Sequence, residues 1–317
     1  MSTVAVLGLG AMGKGMAARL ADWLRSHDSE FPQEVLVWNR TAATAAQFAA
    51  ETPGVTALDC FEHVRDARVV VAMLSNDAAA EEVLGSYLAT LGDPNSRSAQ
   101  PTPVYVNSAT ILPATVKRLA TAAKAADVHF VNMPVFGRPD AAASGSLVAV
   151  FAGPAAAREV LAPLLPAIAG RGVWDLGEDP AKSAALKLIG NFFIVSSIEV
   201  ASQCLTLAAK NGVEDADVLR MLQTFHSSPI PTGYAQRMSE GDYSTEAGFA
   251  VDLALKDVGH MRSLAAASAC PLPLADLAYN HLLQAKASHG GQLDWGAIHL
   301  AVRQSAGLPS NNKDKLD

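Results

Sequence analysis

Val4-Ala5-Val6-Leu7-Gly8-Leu9-Gly10-Ala11-Met12-Gly13 is the stretch on which the fold turns. Four apolar, strand-favouring residues run straight into a Gly-x-Gly-x-x-Gly turn. Behind the turn Met12, Met16, Leu20 and Leu24 recur every four residues, the apolar stripe of a helix that packs on a sheet. Strand, glycine turn and helix in that order form the first βα step of a dinucleotide-binding sheet. Gly8 suits the tight turn, Gly10 the close approach of a pyrophosphate and Gly13 close helix–strand packing, with the anion at the helix N-terminus. Gly8, Leu9, Gly10, Ala11, Met12 and Gly13 are therefore the first candidate cofactor contacts.

Working outward, the runs 35–38, 69–74, 104–107 and 129–131 read as further strands, separated by Ala-rich helical stretches at 41–52, 77–91 and 113–126. Such alternation predicts an α/β, doubly wound and mainly parallel sheet. Two more strand-like runs, 147–152 and 173–176, are expected to extend or edge that sheet. After Asp179 the pattern changes to helix, beginning with one long run from Ala181 to about Asn211; Gly212 is its expected C-cap, and Asp215 falls in the next helix's first turn. The expected organisation is a Rossmann domain over 1–179, an all-helical domain over 180–307 entered through the long helix, and a polar, frayed tail over 308–317.

Composition narrows the class. The chain has 317 residues, enough for about two domains. Half of it is hydrophobic and 17% is charged, which excludes a disordered chain and, by its low charge, predicts a homodimer or larger even oligomer. The net charge of −7 without a basic block argues against a nucleic-acid platform. Cys60, Cys204 and Cys270 are scattered, so neither a disulfide framework nor a zinc site is implied, and no histidine has metal-ligand spacing. No charged n-region with a long apolar core opens the chain, so no signal peptide is read. The longest apolar run, 186–207, holds Lys187, Asn191 and Glu199, whose cost in a bilayer argues against a membrane span. The expected location is the cytoplasm.

The second strand specifies the dinucleotide. NAD sites place an acidic residue at its end for the ribose hydroxyls, whereas this strand ends Trp38-Asn39-Arg40-Thr41. Arg40 offers a guanidinium to a 2′-phosphate, and Asn39 and Thr41 offer neutral hydrogen bonds, so NADP(H) is predicted. Leu74 and Ser75, at the end of the 69–74 run, complete the candidate contacts on this side.

The glycine motif with Met16-Ala17, Asn39-Arg40-Thr41, Met133-Pro134-Val135-x-Gly137, Ser144-Gly145-x-Leu147, Lys187-Leu188-Ile189-Gly190-Asn191, and Phe249 followed by Lys256-Asp257 occur in that order over nearly the whole chain. In them the chain resembles the β-hydroxyacid dehydrogenases, relatives of 6-phosphogluconate dehydrogenase that include 3-hydroxyisobutyrate dehydrogenases and tartronate, glyoxylate and succinic semialdehyde reductases. The resemblance implies Lys187 as proton donor, Phe249 and Asp257 in the substrate pocket, Lys256 near the cofactor, an active-site cleft between the two domains, and dimers. The residues alone allow Lys187 to be a donor held by Asn191, four positions on and on the same helical face, or a lysine snorkelling from a partly buried helix. Phe249, Leu253, Lys256 and His260 fall on one expected helical stripe.

The departures concern the substrate. Where the family reads Asp-x-Ser-Thr, this chain has Asn107-Ser108-Ala109-Thr110, so Ala109 replaces a substrate-binding hydroxyl for which Ser108 or Thr110 is the compensating candidate. The family's Ser-Gly-Gly turn becomes Phe136-Gly137-Arg138, which removes a permissive turn and adds bulk and a cation. Arg138 is either a carboxylate anchor or a solvent-facing residue in a Pro139-stiffened loop. The Gly-x-Gly run expected before the catalytic lysine is replaced by Asp179-Pro180-Ala181-Lys182-Ser183. The first reading is an NADPH-dependent reductase or dehydrogenase interconverting a small aldehyde- or keto-acid and its hydroxy acid. The alternatives are an imine reductase and a non-catalytic dinucleotide-binding module, against both of which Lys187 counts.

Overall fold

β1 (Thr3–Leu7) is buried along its length from Val4 onward, and a strand apolar on both faces needs cover on both. The βα units that follow supply it: α1 (Ala11–Ser26), β2 (Val35–Trp38), α2 (Ala42–Glu51), β3 (Val55–Ala57), β4 (Ala67–Ala72), α3 (Asp77–Leu91), β5 (Val104–Asn107), α4 (Pro113–Ala125) and β6 (His129–Asn132). The six strands pair in the order β3-β2-β1-β4-β5-β6, all parallel. Val4 and Val6 join the apolar cluster that holds Met16, Leu20 and Leu24 of α1. Ala5 and Leu7 join the one that holds Leu84 of α3 and Leu119 of α4. This computed structural model describes residues 3–28, 30–93, 101–226, 228–245 and 248–310.

The two later strand-like runs do not extend this sheet. With β7 (Val135–Phe136) they form a second sheet in which β8 (Val148–Phe151) runs antiparallel to β7 and parallel to β9 (Gly172–Asp175). The chain turns at Met133-Pro134 directly into β7, so the strands that follow pair with β7 and not as a ladder on β6. One antiparallel bridge, Asn132 to Ala152, touches β6. Short helices α5 (Pro139–Ala143), α6 (Ala155–Leu161) and α7 (Leu165–Ile168) fill the connections.

The helix predicted from 181 is α8 (Pro180–Lys210), followed by α9 (Asp215–Phe225), α10 (Pro229–Glu240), α11 (Val251–Ala267), α12 (Pro273–His289) and α13 (Ile298–Ser305). Gly212, at φ +69°, lets the Val213 N–H bond back to the Ala208 carbonyl, the six-to-one closure of a glycine-terminated helix. Compact units divide inside α8, as Met1–Lys187 and Leu188–Asp317. α8 is, among the described residues, the one helix long and apolar enough to cross a membrane, yet 44% of its most apolar stretch is buried in protein and it buries Lys187, Asn191 and Glu199. The second unit closes on Leu188, Val195, Ile198, Leu205 and Trp295. The start of the expected tail is held: Leu308 N–H bonds to the Arg303 carbonyl, and Arg303 Nε to the Pro309 carbonyl at 2.8 Å. Residues 311–317 of that tail lie outside the described residues.

Candidate active site

β1 and β4 are neighbours, but the helices after them pack on opposite faces, which opens a crevice at the strands' carboxyl ends. The Gly8–Gly13 loop lies there. Gly8 adopts φ +91°, and a Cβ on it would overlap the Met73 carbonyl oxygen; a Cβ on Gly13 would overlap the Gly8 carbonyl oxygen. A Cβ on Gly10, by contrast, would meet nothing within 4 Å. Gly10 also starts α1 with no side-chain cap and no acid in the first turn, so nothing in the helix itself offsets its positive end. The loop fits a dinucleotide pyrophosphate on these grounds. Leu74 flanks Gly8 and is half-buried, and Ser75 is exposed.

The end of β2 is built differently from the expectation for Asn39. Its Oδ1 accepts the Leu9 N–H at 3.1 Å and its Nδ2 donates to the Thr41 carbonyl at 3.2 Å. Asn39 thus ties the glycine loop to β2, and Arg40 and Thr41 are the exposed groups. Arg40 shares an open cleft of about 530 Å³ with Trp38, Phe61, Glu62 and Glu82.

A buried polar chain runs from the sheet to the lysine helix. Asn107 and Asn132 are register partners at the carboxyl ends of β5 and β6. Asn107 Nδ2 donates to Asn132 Oδ1 at 2.7 Å, and Asn132 Nδ2 donates to Ser183 Oγ at 2.9 Å. Ser183 Oγ in turn lies 2.9 Å from the Asn132 carbonyl. This network anchors the first turn of α8, one turn before Lys187, and Asn132 and Ser183 were not among the residues singled out from sequence as site residues. Two asparagines closing adjacent strands were the available signal. Ala109 is buried, as is Ser108, whose hydroxyl has no hydrogen-bond partner among the described residues. Thr110 keeps accessible surface.

Lys187 is 9% exposed, and its Nζ lies 4.2 Å from the centroid of the Phe136 ring. The turn that follows keeps its permissive residue: Gly137 has φ +142°, and a Cβ there would strike Leu147. Arg138 adopts ordinary extended backbone as the N-cap of α5, so replacing a glycine at 138 costs no strain.

In the second unit Asn191 Nδ2 donates to the fully buried Asp257 at 2.6 Å, and Lys256 Nζ lies 3.1 Å from the other carboxylate oxygen. Asn191, Lys256 and Asp257 are thus brought together; Asn191 and Lys187 share α8, one turn apart. Phe249 does not belong to the expected stripe, because α11 begins at Val251. Asp294 takes the Phe249 N–H at 2.8 Å, the neighbouring Ala250 bridges to Asp294, and the Phe249 ring packs edge-on against Trp295 at 4.9 Å. No group of three metal-ligating side chains is assembled among the described residues.

The family model for the NAD binding domain of 6-phosphogluconate dehydrogenase matches residues 3–177. The model for the NAD-binding region of NADP-dependent 3-hydroxyisobutyrate dehydrogenase matches residues 181–301. The chain is 30% identical over 307 residues to the uncharacterized oxidoreductase YfjR of Bacillus subtilis, covering 95% of this chain and 99% of that one. It is 30% identical over 303 residues to an L-threonate dehydrogenase of Cupriavidus necator, covering 94% and 95%. In fold it is similar to a Mycobacterium tuberculosis 3-hydroxyisobutyrate dehydrogenase solved with L-serine, at a TM-score of 0.79 and 24% identity over 96% of this chain and 99% of that one. The glycine loop lies within the first matched segment and the lysine helix within the second from Ala181 onward, and the chain belongs to the β-hydroxyacid dehydrogenase family of NAD(P)-dependent oxidoreductases.

Proposed function

We propose that this oxidoreductase uses NADP(H) to interconvert a small aldehyde- or keto-acid and its hydroxy acid, with Lys187 as the proton donor. The observation that carries the reading is a buried lysine on a helix whose first turn is tied to the sheet through Asn132 and Ser183. The bound cofactor supplies the hydride. The chain's residues do the rest. Gly8 to Gly13 hold the pyrophosphate, Arg40 pairs with the 2′-phosphate beside Thr41, and Leu74, Ser75 and Lys256 are further cofactor contacts. As hydride reaches the carbonyl carbon, the Lys187 ammonium gives a proton to the substrate oxygen, and in the oxidative direction Lys187 takes it back. Asp257 accepts from Asn191 and so fixes its amide, which orients the donor. Thr110 supplies the hydroxyl lost at Ala109, and Arg138 anchors the substrate carboxylate as a bidentate donor; Ser108, Gly137 and Phe249 complete the proposed contacts.

Ile189, Phe193, Val200 and Leu207 leave an exposed apolar stripe along α8. Together with the low overall charge it supports a homodimer or larger even oligomer, which light scattering at micromolar concentration would resolve from a monomer. The experiment for the activity follows loss of reduced-nicotinamide absorbance with NADPH and NADH against small aldehydes, keto acids and cyclic imines. Turnover of aldehydes or keto acids, faster with NADPH, is expected. Turnover of imines alone would replace the proposal with an imine reductase.

A further inference from the structure

Phe136 and Trp174 stand on β7 and β9, either side of β8, with ring centroids 5.9 Å apart. Lys187 holds its ammonium 4.2 Å from the Phe136 centroid, and all three belong to the same compact unit. Trp174 is 50% exposed, the one large hydrophobic side chain of that unit left so open among the described residues. An indole half in water, packed against the ring that holds a buried ammonium, is apolar area waiting for cover. The two rings offer faces and edges and, apart from the indole N–H, no hydrogen-bond donor. A carboxylate placed against them would lose water without replacement, whereas a flat apolar group would stack. The Phe136 ring attracts the ammonium to its face, where Nζ lies 4.2 Å from the centroid.

We infer that Phe136 and Trp174 form a specificity wall: the reacting oxygen lies at Lys187, and the carbonyl carbon carries an aromatic or similarly flat apolar substituent that packs on the two rings. This rests on the proposed role of Lys187 as proton donor. It adds a substrate class that the small-acid reading leaves open, since the carboxylate, where present, is held elsewhere. Phe136 acts here as a specificity residue and as a positioning residue for the ammonium.

The test compares 3-phenylpropanoate with butanoate, carboxylates with one headgroup, by calorimetric titration of the full chain saturated with NADP+. The phenyl ligand should bind tighter by about tenfold or more. Phe136→Ser and Trp174→Ala should each remove most of that difference, and Trp174, being half exposed, gives a folded variant even if Phe136→Ser does not fold. Equal binding of the two ligands, or a difference that survives Trp174→Ala, overturns the wall. Turnover separates the two proposals, with phenylacetaldehyde and butanal as the substrates. A binding difference that is present and ring-dependent, with no NADPH oxidation by any carbonyl, counts against the reductase reading alone; reduction of both aldehydes with equal kcat/KM counts against the wall alone.

Discussion

The glycine loop and the polar interior of the helical unit solve the burial of polar groups in opposite ways. The loop meets its demands within six residues: a positive φ at Gly8, close packing at Gly13 and open space at Gly10. The helical unit pairs buried groups that are far apart in sequence: Asn191 with Asp257 across 66 positions, Glu199 with His281 across 82, and Ser202 with His299 across 97. Backbone geometry is written locally, whereas a satisfied buried polar pair depends on two helices arriving in register. Damage to the two regions should differ accordingly.

The largest stability effect is expected at His281→Leu. Glu199 is fully buried, and both its carboxylate oxygens lie within 3.1 Å of His281 Nδ1. Removing one partner of such a pair should cost about 3–5 kcal/mol in urea unfolding. The exposed Arg118–Glu81 pair serves as control, since Arg118→Ala should cost no more than about 1 kcal/mol. Equal losses would erase the contrast between buried and exposed pairing.

Next comes His299, fully buried, with Nδ1 3.0 Å from Ser202 Oγ and Nε2 without a hydrogen-bond partner among the described residues. Burial, reinforced by the Arg303 charge, pushes it from its ordinary 6.5 down to about 4. Between those values the unfolded chain binds a proton that the folded one does not. Its stabilising contribution is therefore full above pH 6.5 and is lost as pH falls toward 4, by about 3 kcal/mol in all. His299→Leu should flatten the stability profile over that window. An unchanged slope would assign the acid sensitivity to other groups.

Ser183→Ala should cost less, about 1–3 kcal/mol, by leaving the buried Asn132 amide without its acceptor. No loss of stability would show that the sheet and the start of α8 are joined by packing alone. The smallest effect belongs to the exposed Arg40, on the local side of the comparison. Arg40→Ala should lower the preference for NADPH over NADH by about tenfold or more without changing unfolding. An unchanged preference would place the phosphate elsewhere, for which the carboxylates of Glu62 and Glu82 in the same cleft are a physical reason.

The same contrast explains what could be read without the structure. Strands 35–38 and 104–107 and helix 77–91 coincide with β2, β5 and α3 because burial on both faces and helical spacing repeat within each segment. The long helix begins and ends within one residue of its expected bounds, 181–211, because Pro180 and Gly212 punctuate it. β3 and β7, three and two residues long, carry too little pattern to be seen, and without β7 the runs at 147–152 and 173–176 read as extensions of the first sheet. Among the candidate site residues, Gly8, Gly10 and Gly13 announce themselves by residue type. Asn39 is legible as a polar group but not as a brace on Leu9, and the four-residue spacing that reaches Phe249 does not show that the helix starts two residues later. The placement of Phe136 beneath Lys187 depends on how β7 meets α8, and no spacing in the chain encodes it.

The most direct test of the central claim is the turnover of Lys187→Met, measured beside its affinity for NADPH. Methionine keeps the length and apolar stem of lysine and removes the proton. The account predicts a fall in kcat of roughly 10²–10⁴-fold with NADPH still bound and the protein folded. Turnover near the wild-type rate in a folded, cofactor-binding Lys187→Met protein would contradict it.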